Sequence, residues 1–404
     1  MRTHVYDWIK AMGELFRLNN PIQNYAWGSH TVLAQMRGVP APTDQPEAEV
    51  WVGAHPSAPS VAEYAGDSTA LNVLVENNPD TFLGKNRSCD TFPYLFKILA
   101  IDAPLSIQVH PTDEQAQAGF ADENARGIAL DAPHRNYKDQ FSKPETVIAV
   151  SDVKILTGVR DSAQLEELAV TFDAGWLKGL LPVKDAKALL TSILRLDQQA
   201  AQKAMNDLLR ASVEITQGQD ASKLVRKAAE LVQLVSLKHP GDQGLLVAFV
   251  MNFIELSPGD SAFTPDGQVH AYVEGTAIEL MNPSDNVMRA GLTPKHIDTE
   301  ELIKVLATDQ DAPTIKRAQP VNESTGVYAM WDERLSVTRI RVENQPVDYT
   351  FEGTSTLLSV GGNVTVSTGD ESFEVTGTES VMHIGEPVTT RISGCGELYI
   401  ATHR

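Results

Sequence analysis

Gly259-Asp260-Ser261-Ala262-Phe263-Thr264-Pro265-Asp266-Gly267-Gln268-Val269-His270-Ala271-Tyr272 lies inside strand-like sequence that runs from Leu245 to Leu256 and on through Leu280. Two clusters of turn residues interrupt it, Ser257-Pro258-Gly259-Asp260 and Pro265-Asp266-Gly267. Proline presets φ and glycine accepts a positive φ, so Pro265 and Gly267 build a tight turn. A strand leaving that turn aims His270 toward an interior. One histidine alone is usually structural. One placed here becomes a ligand candidate if other segments bring donors to the same place.

Two upstream segments do so. From Asn20 to about Val159 short apolar runs are punctuated by Gly, Pro, Asn and Asp, as in Tyr94 to Ala100, Leu105 to Val109 and Thr146 to Val150; such runs read as buried strands. Side chains two apart on a strand share a face, so Ser106, Gln108 and His110 point one way and Leu105, Ile107 and Val109 the other. The polar face is either wet and ordinary, or it lines a cavity where Gln and His offer oxygen and nitrogen lone pairs to a metal. Lys143 and Glu145 likewise face together at the mouth of a strand, where Pro144 is tolerated as a first residue or on an edge. An ion pair at a solvated strand end is the plain alternative there.

The texture changes after Arg160. Asp161 to about Lys238 is rich in Ala, Leu, Lys, Gln and Glu, and Leu224, Ala228, Leu231, Val232 and Val235 recur at helical spacing. Asp197 and Asp220 are candidate N-caps, and His239-Pro240-Gly241-Asp242 is a stop signal. From about Tyr328 onward, β-prone runs such as Leu335 to Val342 and Asn363 to Ser367 alternate with Gly-rich turns, the pattern of a second all-β sandwich or barrel.

Bulk properties narrow the function. A chain of 404 residues suits two or three compact units. A formal net charge of -20 argues against a nucleic-acid or anionic-membrane surface, because polyanions are held chiefly by Lys and Arg. An anionic substrate therefore requires a local basic pocket. Cys89 and Cys395, the only cysteines, lie outside any Cys-x-x-Cys spacing, so neither a disulfide framework nor a thiolate metal site is expected and a reducing cytoplasm is the simplest location. Met1 to Gly13 lacks the apolar run of a signal peptide, and no apolar stretch is long enough to cross a bilayer.

The Gly259 to Tyr272 stretch resembles the second conserved motif of the cupin superfamily, G-x5-P-x-G-x2-H, departing only at the final Asn, here Glu274. The resemblance narrows further. Asn20 to Ser29, Ala48 to Ser57, Phe96-Lys97-Ile98-Leu99, Gln108-Val109-His110-Pro111, Lys143-Pro144-Glu145 and Asp285 to Lys295 together resemble the type I mannose-6-phosphate isomerase family, in that family's order and from about Glu14 to the C-terminus. The resemblance implies a mainly β fold with an α-helical insert: a cupin (jelly-roll) catalytic domain at 14–160 and 244–322, a helical domain at 161–243, and a second C-terminal cupin-like β domain at 323–404, after an extension at 1–13. It places four zinc ligands on Gln108, His110, Glu145 and His270, one Zn2+ per chain. Its pocket positions fall on Ser106, Lys143, Tyr272, Glu279, Asp285, Arg289 and Lys295, with Glu49, His55, Trp27 and Lys97 nearby or supporting. The family commonly has His before Lys-Pro-Glu; Ser142 stands there instead, which weighs against any mechanism needing an imidazole at that point.

The implied reaction interconverts mannose 6-phosphate and fructose 6-phosphate through a cis-enediol, feeding mannose utilisation and GDP-mannose supply. A divalent cation with mixed N/O ligands and an open position polarises sugar oxygens. A base must move the proton between C1 and C2. Glu279, among apolar neighbours that desolvate a carboxylate, and Asp285 are equal candidates, with Lys143 and His55 as relay partners. Arg289 offers a planar fork and Lys295 a point charge for phosphate. A monomer is the expected state, with a homo-oligomer as the alternative. Competing readings are a non-catalytic sugar-binding or metal-storing cupin and another metal-dependent cupin enzyme, such as a dioxygenase, which wants a redox metal and a His-rich ligand set. No Gly-rich phosphate loop follows a strand, so a fused nucleotidyltransferase is not expected.

Overall fold

The computed structural model describes residues 13–84, 90–183, 185–218, 220–343, 345–369 and 371–404. The expected extension at 1–13, apart from Gly13, and Cys89 lie outside them; Cys395 is exposed. Among the described residues no helix is long and apolar enough to cross a membrane. Two sheets of eleven strands each carry the fold, with a group of helices packed at one end of the first.

The first sheet is organised about one twelve-residue strand, His270–Met281. Its first half pairs with Val153–Val159 and meets Ile107–Val109 through His270 and Gln108. Its second half pairs with Leu95–Ile101 on one side and Glu145–Ala149 on the other. The change of partners falls at a register shift between Tyr272 and Glu274. Gly275 follows with φ +118, where a Cβ would lie 2.4 Å from the Asp152 carbonyl oxygen, so the bend needs glycine. Leu95–Ile101 and Glu145–Ala149 are buried along their whole length, which is why each reads as a nearly continuous apolar run, broken by Lys97 in the first and opened by Glu145 and Thr146 in the second, rather than an alternating one.

The second sheet is built on the long antiparallel pair Thr354–Thr368 and Val388–His403. It also takes in Glu14–Asn19, which pairs with Ser380–Ile384, and through it Val61–Tyr64 and Asp67–Ala70. Pairing of these early strands with the end of the chain leaves no local trace in the sequence. One apolar core joins the two sheets, containing Phe96, Ile98 and Ile278 from the first and Leu358, Met382 and Tyr399 from the second. The buried Tyr94 hydroxyl, 3.0 Å from Thr356 Oγ1, adds a polar tie between them.

Helices occupy the expected insert, the longest being Gln198–Gln217 and Lys223–Lys238. Asp197 caps the first through its side chain. Ser222, not Asp220, caps the second: its Oγ accepts from Val225 N, three residues into the helix. The strand expected from Leu245 begins only at Met251, because Gly244–Val250 is a helix with every residue buried. A short, wholly apolar run has no period by which to tell a buried helix from a buried strand. A helix at Asp113–Ala125 interrupts the expected run of strands; Ala116 and Glu123 are its only buried residues, so it shows no apolar stripe. Its local signal is the capping box formed by Thr112 and Gln115.

Candidate active site

Three segments bring His110, Glu145 and His270 together. Ile107 and Val109 are buried in the core, which turns Gln108 and His110 toward the opposite face. Glu145 opens the strand after Pro144 and lies across from Thr264, while His270 opens the strand after the Pro265–Gly267 turn. All three side chains are buried, and their ligand atoms lie within 4.8 Å of one another. His110 Nε2 is 3.3 Å from Glu145 Oε1, and His270 Nε2 is 3.2 Å from Glu145 Oε2.

The second nitrogens settle the tautomers. His110 Nδ1 lies 2.8 Å from the Asn286 carbonyl and His270 Nδ1 lies 3.0 Å from the Gln268 carbonyl, so each Nδ1 carries the proton and donates. Both Nε2 lone pairs then face carboxylate oxygens, acceptor against acceptor. The buried Nε2 of His110 has no hydrogen-bond partner. A shared cation reconciles these atoms, and the donor set of two imidazoles and a carboxylate suits zinc. Burial, with the Lys143 charge, pushes the His110 imidazole down to about 4, which keeps it a neutral ligand. Burial pushes the Glu145 carboxyl up, but Lys143 Nζ at 2.9 Å and the adjacent imidazoles outweigh that and hold it well below the usual range. Gln108 stands opposite His270 and Arg289 in the strand register. Its Nε2 donates to Ser106 Oγ at 3.0 Å, which leaves Oε1 as the available donor atom for a metal.

Gln108, Glu145 and His270 line a small cavity of about 70 Å³ that shares Ser106, Gln108, Lys143, Lys97 and Glu49 with a larger cleft of about 480 Å³. In the wall of the cavity, Lys97 Nζ lies 3.0 Å from Glu279 and 3.5 Å from Glu49, all three side chains being buried. Trp51 Nε1 donates to Glu49 and so holds it in place. Burial pulls the Lys97 ammonium down, but the two carboxylates and Glu145 raise it above its ordinary value. Burial raises the Glu279 carboxyl, an effect Lys97 only partly offsets. Tyr272 donates to Glu145 Oε2 at 3.5 Å, and burial drives its phenol well up.

The cleft walls carry the remaining candidates. Arg289 is half-buried and has no ion-pair partner among the described residues; burial lowers its guanidinium. Lys295 sits exposed at the rim, lowered by partial burial and by Arg289. Trp27 stacks on Tyr25 with ring centroids 5.9 Å apart. Asp285 lines the cleft with His55 behind it, Nε2 to Oδ2 being 3.4 Å. Although burial pushes Asp285 up, the bond and charge of His55 bring it below the usual carboxylate range. His55 itself is buried against Trp51 and held by Ser57, so it reaches the cleft only through Asp285. Ser142 is buried, with its N–H donating to Asp113.

Sequence reasoning missed Tyr25, Trp51, Lys238 and His239, all of which line the cleft. Tyr25 and Trp51 stood inside recognised runs. Lys238 and His239 carried only a helix-stop signal, and tertiary packing brings them to the cleft, where Lys238 pairs with Asp102 at 3.1 Å and His239 Nε2 lies 2.9 Å from the Pro104 carbonyl.

Fold and site together define a two-sheet β protein with a buried His-Glu-His cation site at the foot of a cleft bearing Arg289 and Lys295. A family profile for the phosphomannose isomerase type I catalytic domain matches residues 15–162. Mannose-6-phosphate isomerase of Escherichia coli K12 is 33% identical over 381 residues, covering 88% of this chain and 94% of its own. The enzyme of that name from Salmonella typhimurium is 33% identical over 376 residues, with the same coverage of both chains. A crystal structure of zinc-bound mannose 6-phosphate isomerase superposes with a TM-score of 0.84 at 30% identity, over 96% of this chain and 99% of that one. The chain belongs to the type I phosphomannose isomerase family.

Proposed function

We propose that the protein is a zinc-dependent aldose-ketose isomerase that interconverts mannose 6-phosphate and fructose 6-phosphate. The observation that carries this is the buried trio His110, Glu145 and His270, in which imidazole Nε2 lone pairs face carboxylate oxygens and that of His110 has no hydrogen-bond partner, an arrangement that calls for a cation at the foot of a cleft whose Arg289 has no ion-pair partner among the described residues. Relatives of the same family, alike over most of both chains, carry that activity in their names.

His110, Glu145, His270 and Gln108 would hold the zinc, one per chain. When bound, zinc supplies Lewis acidity toward the sugar oxygens, a contribution of several kcal/mol to such reactions. Arg289 presents two parallel N–H donors to the phosphate, and Lys295 adds charge from the rim. Burying part of the guanidinium strengthens that attraction, because less water competes. Proton transfer between C1 and C2 on one face of a cis-enediol needs a base whose pKa approaches the working pH. Glu279 meets that need better than Asp285: burial raises it and it lines the inner cavity, whereas His55 holds Asp285 low. Lys97 keeps Glu279 oriented at 3.0 Å, and Lys143 beside Glu145 is placed to steady an oxygen that gains negative charge. Ser106, Tyr272, Trp27 and Glu49 shape the walls that orient the sugar.

The matching architecture is a cupin catalytic unit, a helical unit and a C-terminal cupin-like unit, the last completed by the Glu14–Asn19 strand. A cytoplasmic, monomeric enzyme accords with this reading.

Incubating zinc-loaded protein with mannose 6-phosphate in deuterium oxide tests it. Fructose 6-phosphate should form with solvent deuterium entering at C1 or C2; absence of ketose refutes the assignment. A metal-storing cupin would keep zinc and show no turnover, and a dioxygenase would require oxygen. His110→Ala and His270→Ala should lose zinc and turnover together, read by metal analysis beside the rate.

A further inference from the structure

His110 is positioned by a backbone carbonyl, that of Asn286, and Asn286 is fully buried in a dense polar knot. Its Oδ1 accepts from Lys138 N at 2.7 Å and Asp139 N at 3.3 Å. Its Nδ2 donates to the Asp139 carbonyl at 3.0 Å, to Asp139 Oδ1 at 3.1 Å and to the Phe141 carbonyl at 2.9 Å. Asp139 answers from the other side. Its Oδ2 accepts from Asp285 N at 2.9 Å, and its Oδ1 accepts from Ser284 Oγ at 2.9 Å and from Phe141 N at 3.0 Å. Ser284 Oγ in turn accepts from Asn286 N at 3.2 Å.

The knot joins two loops that otherwise have no covalent reason to stay in register. One, 138–141, runs directly into Lys143 and Glu145. The other, 284–286, carries Asp285 and leads into the Met288–Gly291 strand with Arg289. A carboxamide suits the centre because it is donor and acceptor at once; a carboxylate of the same shape would set two anions and two carbonyl oxygens against each other in a buried place. Neither Asn286 nor Asp139 lines the cleft, so neither touches substrate.

We infer that Asn286 and Asp139 are paired positioning residues: they lock the two loops so that His110, Glu145, Asp285 and Arg289 converge on one site, and thereby set both zinc affinity and sugar-phosphate affinity. The role resembles that of groups behind metal ligands generally, whose loss costs about 10–100-fold in metal affinity or activity. This inference rests on the isomerase reading only for its substrate arm.

Asn286→Asp removes three donated hydrogen bonds without changing shape. Zinc dissociation constants, measured by chelator competition in the absence of substrate, should rise by about 10–100-fold, and KM for mannose 6-phosphate should rise more than kcat falls. The reversed pair, Asp139→Asn with Asn286→Asp, again places a donor opposite an acceptor and should recover part of both losses. Asn286→Asp binding zinc and substrate as the parent does overturns the inference, and so does a reversed pair no better than the single variant. If Asn286→Asp does not fold by circular dichroism, Ser284→Ala carries the test through its zinc dissociation constant without substrate, since it removes the hydroxyl that bridges the loops and Ser284 also lines the cleft. That constant should rise about 3–10-fold, the equivalent of one hydrogen bond; a parent-like zinc affinity overturns the inference. A parent protein that binds zinc but makes no ketose would refute the isomerase reading alone and leave the zinc arm to decide this one.

Discussion

Replacing Lys97 by methionine keeps the length and apolar stem of a buried side chain and deletes its charge. Lys97 sits 3.0 Å from Glu279 Oε2 and 3.5 Å from Glu49 Oε2. At an effective dielectric of about 20, the nearer contact alone is worth roughly 5 kcal/mol of gross attraction. Desolvating the three charges consumes much of that, so the effect is decided by the two carboxylates the variant leaves buried without a cation, for which a loss of about 3–5 kcal/mol is expected near neutral pH. The pH dependence has a definite sign. Burial already raises Glu279 and Lys97 lowers it, so without Lys97 its folded pKa climbs further above the unfolded value. The folded protein then binds more protons than the unfolded chain across that interval, and stability falls as pH rises through it. Urea unfolding of metal-stripped parent and variant at about pH 5.5 and about pH 8 should therefore show the larger deficit at the higher pH. In the loaded enzyme the acid limb of kcat/KM should move to higher pH, because a base must be unprotonated to act. A deficit that grows toward acid, or no deficit at either pH, refutes the reasoning.

Two further perturbations follow from named contacts. Arg289→Lys retains the charge but loses the planar fork, so KM for mannose 6-phosphate should rise about tenfold or more with kcat changed less, and steady-state kinetics at fixed ionic strength checks it. Gly267→Ala forces φ +77 on an alanine and brings its Cβ to 2.9 Å from that of Ala307, directly before the His270 strand. A loss of more than about 1 kcal/mol in urea unfolding should accompany weaker zinc binding by chelator competition, and an unchanged zinc affinity would show that the turn does not govern the aim of His270.

Much of the site was legible because its residues sit on short strands with local punctuation. The period of two set Gln108 and His110 on one face, and Pro265 with Gly267 announced the turn before His270. Resemblance ordered the remaining positions, and the structure brings all of them to one cleft or its immediate backing. Illegible features had non-local causes. Gly244–Val250 is buried on every side, so its sequence carries no period to mark it as a helix, and Asp113–Ala125 hid its helix behind a surface with no apolar stripe. The Lys238–His239 contribution depends on how a helix end docks against Asp102 and Pro104, over 130 residues away in the chain.

By itself, the amino-acid sequence determined which segments prefer strand, helix or turn, and which side chains have metal-binding and phosphate-binding chemistry, because those properties reside in neighbouring residues and in functional groups. Only the tertiary structure decided that Glu14–Asn19 would complete a sheet made mostly of the last ninety residues, that Lys97 would sit between two carboxylates, and that the Asn286 carbonyl would fix the His110 tautomer. Each of these is a pairing between distant parts of the chain. Its energy comes from burial and from hydrogen bonds that exist only once both partners have arrived.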